Sequence, residues 1–174
     1  MKKVILISVI VVVAIACLVF LYVSTRPKGH ISIDAAGAEM QLARGRFSDV
    51  LVRSSKGPAR VTVGTYSPQN LAIQMKQDGD TWGIESSGPW GTLAQVKVQK
   101  DQTTALKLGP PLLVKPEVRR GSPQQVSAGL AIFGQAGEKY RNVITKNGEP
   151  ISPPKVKIVD EAGTVLASGR FEYG

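Results

Sequence analysis

The chain carries twenty consecutive residues without a charge, Val4 to Val23 (VILISVIVVVAIACLVFLYV), and changes period soon after them. At 1.5 Å per helical residue this run crosses a hydrocarbon core of roughly 30 Å, so it predicts one transmembrane helix. From His30 onward apolar residues recur at every second position, the period of a strand with one buried face. Ile31 and Ile33 form the first such pair; Ala35-Ala36-Gly37-Ala38 breaks it, and Met40 and Leu42 form the second. Val50, Leu51 and Val52 follow, closed by Ser54-Ser55-Lys56-Gly57-Pro58. Val61, Val63 and Thr65 read as one strand face, Ser67-Pro68-Gln69-Asn70 as a turn, and Leu71, Ile73 and Met75 as the next face. Asp78-Gly79 predicts a hairpin turn into a return strand that carries Trp82 and Ile84. Ala94, Val96 and Val98, then Leu106 and Leu108, continue the alternation.

At Gly109-Pro110-Pro111 the composition shifts, and Lys115-Pro116 with Arg119-Arg120-Gly121-Ser122-Pro123 reads as extended and irregular. Beyond it Val126, Ala128, Leu130 and Ile132 alternate, Tyr140 to Thr145 reads as a strand, and Asn147-Gly148 as a turn. Val156 and Ile158 lead through Asp160-Glu161-Ala162-Gly163 to Val165 and on to Phe171 and Tyr173. Short strands with Gly and Pro between them predict an all-β, antiparallel β-sandwich following one N-terminal transmembrane helix. The expected organisation is a tip at 1–3, the span at 4–23 and a linker at 24–29. Then come a β-rich unit at 30–109, a Pro/Gly-rich connection at 110–125, and a β-rich unit at 126–174 that completes or adjoins the sandwich. The segment from Pro153 to Gly174, with its P-x-V-x-I-x-D-x-x-G pattern, resembles immunoglobulin-like sandwich modules. The pattern is generic to a β-hairpin, and the paired Cys and central Trp of true immunoglobulin domains are absent.

Met1-Lys2-Lys3 before the apolar run has the layout of a bacterial export signal. The full spanning length reads as an uncleaved signal anchor, since a cleaved core is usually about 7–15 residues. Two other readings stand beside it: cleavage after Ala14-Ile15-Ala16, and lipidation of Cys17. Both would leave the apolar hexamer Leu18 to Val23 at the new N-terminus. Lys2 and Lys3 nearly balance Arg26 and Lys28 across the span, so the short tail carries the orientation: N-terminus cytoplasmic, domain extracytoplasmic. Pro27 stops the helix soon after the span. Cys17 is the only cysteine, so stability downstream must come from a packed core.

The chain has 22 basic and 13 acidic residues; Lys2 and Lys3 aside, 20 stand against 13, a balance of +7. An exported basic domain faces anionic headgroups, anionic wall polymers or acidic proteins. Arg44, Arg46, Arg53, Lys56 and Arg60 set five cations against Asp49, and strand alternation would send Arg44 and Arg46 to one face. Trp82, in step with Ile84, reads as core; Trp90, in a Gly-Pro loop, reads as the more exposed tryptophan and a stacking surface. These six residues, Trp90 and the five cations, are the candidate partner-binding set.

Candidate chemistry is thin. His30 is the only histidine, which argues against multi-histidine metal sites. Asp78-Gly79-Asp80 with Glu85 lacks the spacing of a calcium loop. Gly129 to Gln135 has the glycine spacing of a phosphate loop, but Gln135 stands where the lysine is required, so it reads as a core strand. No cofactor, metal or catalytic set is expected, and nucleic acid is not an expected partner of an exported domain. The expectation is a non-catalytic binding or structural protein of the cell envelope. The alternative is a module for anionic glycan or wall polymer; a weaker third is an enzyme whose acids meet only in the fold.

Overall fold

A computed structural model describes residues 13–15, 17, 25–46, 48–122 and 125–171. Of the Val4 to Val23 run, Val13, Ala14, Ile15 and Cys17 fall among these and are helical; the rest lies outside the described residues. Among the described residues no helix is long and apolar enough to cross a membrane. Tyr173, expected on the last strand, also lies outside them.

The described chain is all-β. In order come β1 (Lys28–Ile33), β2 (Ala38–Ala43), β3 (Asp49–Arg53), β4 (Ala59–Thr62), β5 (Gly64–Gln77) and β6 (Asp80–Ser86). Then follow β7 (Val96–Val98), β8 (Thr103–Leu106), β9 (Leu113–Ser122), β10 (Gln125–Phe133) and β11 (Lys139–Tyr140). The last are β12 (Ile144–Lys146), β13 (Glu149–Pro150), β14 (Lys155–Val159) and β15 (Val165–Arg170). The largest sheet runs β13-β12-β6-β5-β2-β3, with β7 on the first residues of β5; a smaller one runs β4-β1-β8. Strand β10 lies between β9 and β11, and β14 pairs with β15 alone.

Alternation decides which side chains meet. Ile31 and Ile33 from the small sheet and Met40, Leu42, Val52, Leu71 and Ile73 from the large one fall into one buried cluster. Ile132, Ala136 and Tyr140, from beyond the Pro-rich stretch, join the same cluster. Each fully buried large side chain contributes about 1.5–3 kcal/mol of transfer free energy, which is how a chain with no cysteine in its described β strands holds together.

Local chemistry forms both tight hairpin turns. Asp78 and Gly79 have φ of 52° and 84°, and Asn147 and Gly148 have 53° and 87°, the left-handed pairs of a type I′ turn. Gln77 thus faces Asp80, and Lys146 faces Glu149.

Four local expectations are corrected. Ser67 to Asn70 is not a turn but the middle of fourteen-residue β5, where Gln41 pairs with Asn70 and Leu42 with Pro68. Gln69 is the extra residue of a β-bulge, the place where a strand tolerates proline. Arg60 to Tyr66 is not one strand: Val63 donates to the Pro27 carbonyl at 2.9 Å as the chain passes from the small sheet to the large, so Tyr66 is buried and Thr65 exposed. The stretch that composition marks as irregular holds β9, paired along β10 from Leu113 to Ser122. Finally, one pairing is parallel: β1 runs alongside β8 from His30–Thr103 to Ile33–Leu106.

Candidate binding surface

The five cations do not form one patch. Arg44 and Arg46 sit in the turn between β2 and β3, where the Arg44 N–H donates to the Ser48 carbonyl at 2.7 Å; strand alternation therefore does not govern them. Arg44 is half-buried, lying over Gly64. Arg53 is at the opposite end of β3, with its guanidinium on the Glu39 carboxylate at 2.5 Å. Lys56 is exposed in the short 3-10 turn that follows, and Arg60 is exposed on edge strand β4.

Both tryptophans are half-buried, where the sequence predicts one in the core and the other more exposed. Trp90 is half-buried and packs against the core, whereas Trp82 stands outside the core cluster. Trp82 helps line a hollow of about 300 Å³ with Met75, Ile84, Pro110, Leu112 and Ile144. The Lys146 ammonium lies 5.6 Å from the Trp82 ring and 2.7 Å from the Asp80 carboxylate. Lys146 and then the Asn147 amide hold the Asp80 carboxyl below its ordinary range, so its turn is closed by protein partners. Among the described residues no group of three His, Cys, Asp or Glu side chains gathers to hold a metal ion.

A feature that the alternation does not mark is Glu138, whose side chain is wholly buried. Its Oε1 accepts from the Gly109 N–H at 2.7 Å and the Tyr140 hydroxyl at 2.8 Å, and its Oε2 from the Ala136 N–H at 2.9 Å. A Cβ on Gly134 would collide with this carboxyl, which explains a glycine at that point of the turn. An acid directly after a Gly-Gln-Ala-Gly turn and just before β11 is the signal available in the sequence. Burial, and then the bond to Glu138, push the Tyr140 hydroxyl far above its ordinary range. The assembly pins the turn before β11 to the loop that leads into β9.

Two hairpins, β9–β10 and β14–β15, lie outside the large and small sheets. In β9–β10, cross-strand partners share a face, so Val114, Pro116 and Val118 stand with Ile132, Leu130 and Ala128. The opposite face carries Lys115, Glu117 and Arg119 with Ala131, Gly129 and Ser127. In β14–β15, Val156 and Ile158 stand with Gly169 and Ala167, and Lys155 stands with Arg170 on the other face. A cleft of about 530 Å³ separates the two hairpins, lined by Ala128, Leu130 and Ile132 on one side and by Val156, Ile158 and Ala167 on the other. Apolar side chains of these hairpins remain in solvent: Val118 is 67% exposed and Leu166 is 66% exposed. Single exposed apolar residues are ordinary, but Leu113, Val114, Val118, Ile158, Val159, Val165 and Leu166 all lie on these two hairpins. This surface is distinct from the cation and tryptophan set.

No protein-family model matches the chain, and no curated protein or solved structure matches it.

Proposed function

We propose that this chain is a single-span, membrane-anchored protein whose extracytoplasmic β-sandwich domain binds a partner at the cell envelope without catalysing a reaction. One observation carries the binding role: exposed apolar side chains concentrate on the β9–β10 and β14–β15 hairpins, which flank a common cleft. The anchor rests on the uncharged Val4 to Val23 run behind Lys2 and Lys3. Immunoglobulin-like character rests on the Pro154 to Gly163 pattern, which here opens the β14–β15 hairpin. The wall-polymer reading is the weaker alternative, because Trp90 leans on the core and the five cations are divided between the two ends of β3 and strand β4.

The test is protease accessibility of the domain in intact and outer-membrane-permeabilised cells, with a blot for the size and membrane retention of the full chain. Digestion from outside with an uncleaved, membrane-bound chain is the expected result. Protection by the inner membrane would overturn the topology and turn the basic surface toward cytoplasmic partners. A turnover that copurifies with the folded chain would overturn the non-catalytic part.

A further inference from the structure

The cleft between the hairpins is bounded by an unfinished ladder. The Gly134 N–H donates to the Glu138 carbonyl at 2.9 Å, so the backbone groups of Gly134 point toward β11. Along a strand these directions alternate, which turns the N–H and C=O of Ile132, Leu130 and Ala128 to that same side. Ile132 meets Tyr140 there. The chain then leaves, the Arg141 N–H donating to the Glu85 carbonyl at 2.8 Å. Opposite Leu130 and Ala128 no strand is placed among the described residues, and both line the cleft. An apolar ligand would need only the walls of such a cleft; a row of backbone donors and acceptors along one wall fits an extended polypeptide.

The side chains state what kind. A strand added beside β10 would turn every second side chain to the face of Leu130 and Ile132, in a cleft that Val156, Ile158 and Ala167 also line, which favours apolar residues there. The alternate side chains would fall on the face of Ser127 and Gly129, small residues whose partners across β9 are Arg119 and Glu117. Glu117, across from Gly129, is already paired with the Lys139 ammonium at 3.3 Å, Arg170 lines the same cleft, and the chain as a whole has a net charge of +9. Charge complementarity therefore selects acidic residues at these positions.

We infer that the open edge of β10 receives, by strand addition, an extended segment of a partner protein that alternates apolar and acidic side chains. This deepens the binding role proposed above by naming the partner class. It does not touch the membrane topology, which stands or falls on protease accessibility.

The experiment uses the full chain in detergent micelles and a capped peptide of about nine residues alternating valine and glutamate, long enough to run along the open edge of β10. Saturable binding with slowed hydrogen exchange at the Ala128 and Leu130 amides is the expected result. Ala128→Pro removes one donor on the open side and leaves the β9 ladder its bonds, so it should weaken binding by about tenfold. Ala167→Trp, which fills the cleft from the other hairpin, should weaken it independently. Absence of binding at millimolar peptide would overturn the inference, as would equal binding of a valine–lysine peptide. So would a self-associated chain whose Ala128 and Leu130 amides are already protected without peptide, since the occupant would then be a second copy.

Discussion

Glu138 holds three donors from three places in the chain, and each would otherwise be buried without an acceptor. Glu138→Gln keeps the shape but turns an amide N–H₂ toward a backbone N–H, so one acceptor is lost where two donors face each other. The expected cost is about 3 kcal/mol, read as a lower urea midpoint at unchanged slope. Tyr140 adds a pH dependence. Its hydroxyl loses its proton far less readily in the folded chain than in the unfolded one, so its contribution is complete below the unfolded value of about 10 and is lost as pH rises beyond it. Stability measured from pH 8 to about pH 11 should therefore fall more steeply in the natural chain than in Tyr140→Phe. Asp80 works in the opposite sense. Its lowered carboxyl contributes above its unfolded value and loses that contribution as pH falls through the folded one.

The elements divide by how much of their surface is covered. Strands β2 and β5 are paired on both sides and bury Met40, Leu42, Leu71 and Ile73. The β14–β15 hairpin has neither advantage: it pairs with nothing else, and every residue of β15 is exposed. A two-stranded hairpin on its own is marginal in water. Its amides should exchange at least about a hundredfold faster than those of β2, a contrast that hydrogen exchange of the full chain measures directly. Equal protection in the two would mean that the hairpin is covered in solution. The strand signals in the sequence were strongest where local chemistry suffices, at Asp78-Gly79 and Asn147-Gly148, and weakest at Pro68. There, turn-forming residues are drawn into β5 because both flanking segments are buried and a bulge absorbs the extra residue.

At the scale of the whole molecule, the core joins residues far apart in sequence, and the Pro-rich stretch does not interrupt it. Ile132 and Tyr140 pack with Ile31 and Leu71, and β12 continues the large sheet beyond β6. The candidate surface follows from this arrangement. With β11 and β12 held in the main body, β9–β10 and β14–β15 are left outside the large and small sheets with a cleft between them. The candidate cations were legible as a cluster in sequence and are not one in space. Arg44 and Arg46 belong to a turn, and the length of β3 separates them from Arg53 and Lys56.

Short-range physics was enough to determine the all-β class, the β1 and β2 strands with their buried faces, the presence of β6 and β10, and the two type I′ turns. Each follows from a period of two or from the backbone freedom of an Asp-Gly or Asn-Gly pair. The uncharged Val4 to Val23 run is likewise a property of the sequence itself. Tertiary structure alone decided the parallel β1–β8 pairing, the burial of Glu138, the packing of Trp90 rather than Trp82 against the core, and the open edge of β10. Each depends on which distant segment arrives as neighbour: Glu138 is buried because Gly109, 29 residues earlier, brings an N–H to it. Ala128 and Leu130 lie open for the converse reason, since the chain turns away at Arg141 to complete another sheet. Periodicity records which face of a strand is apolar; it carries no information about what stands beside it.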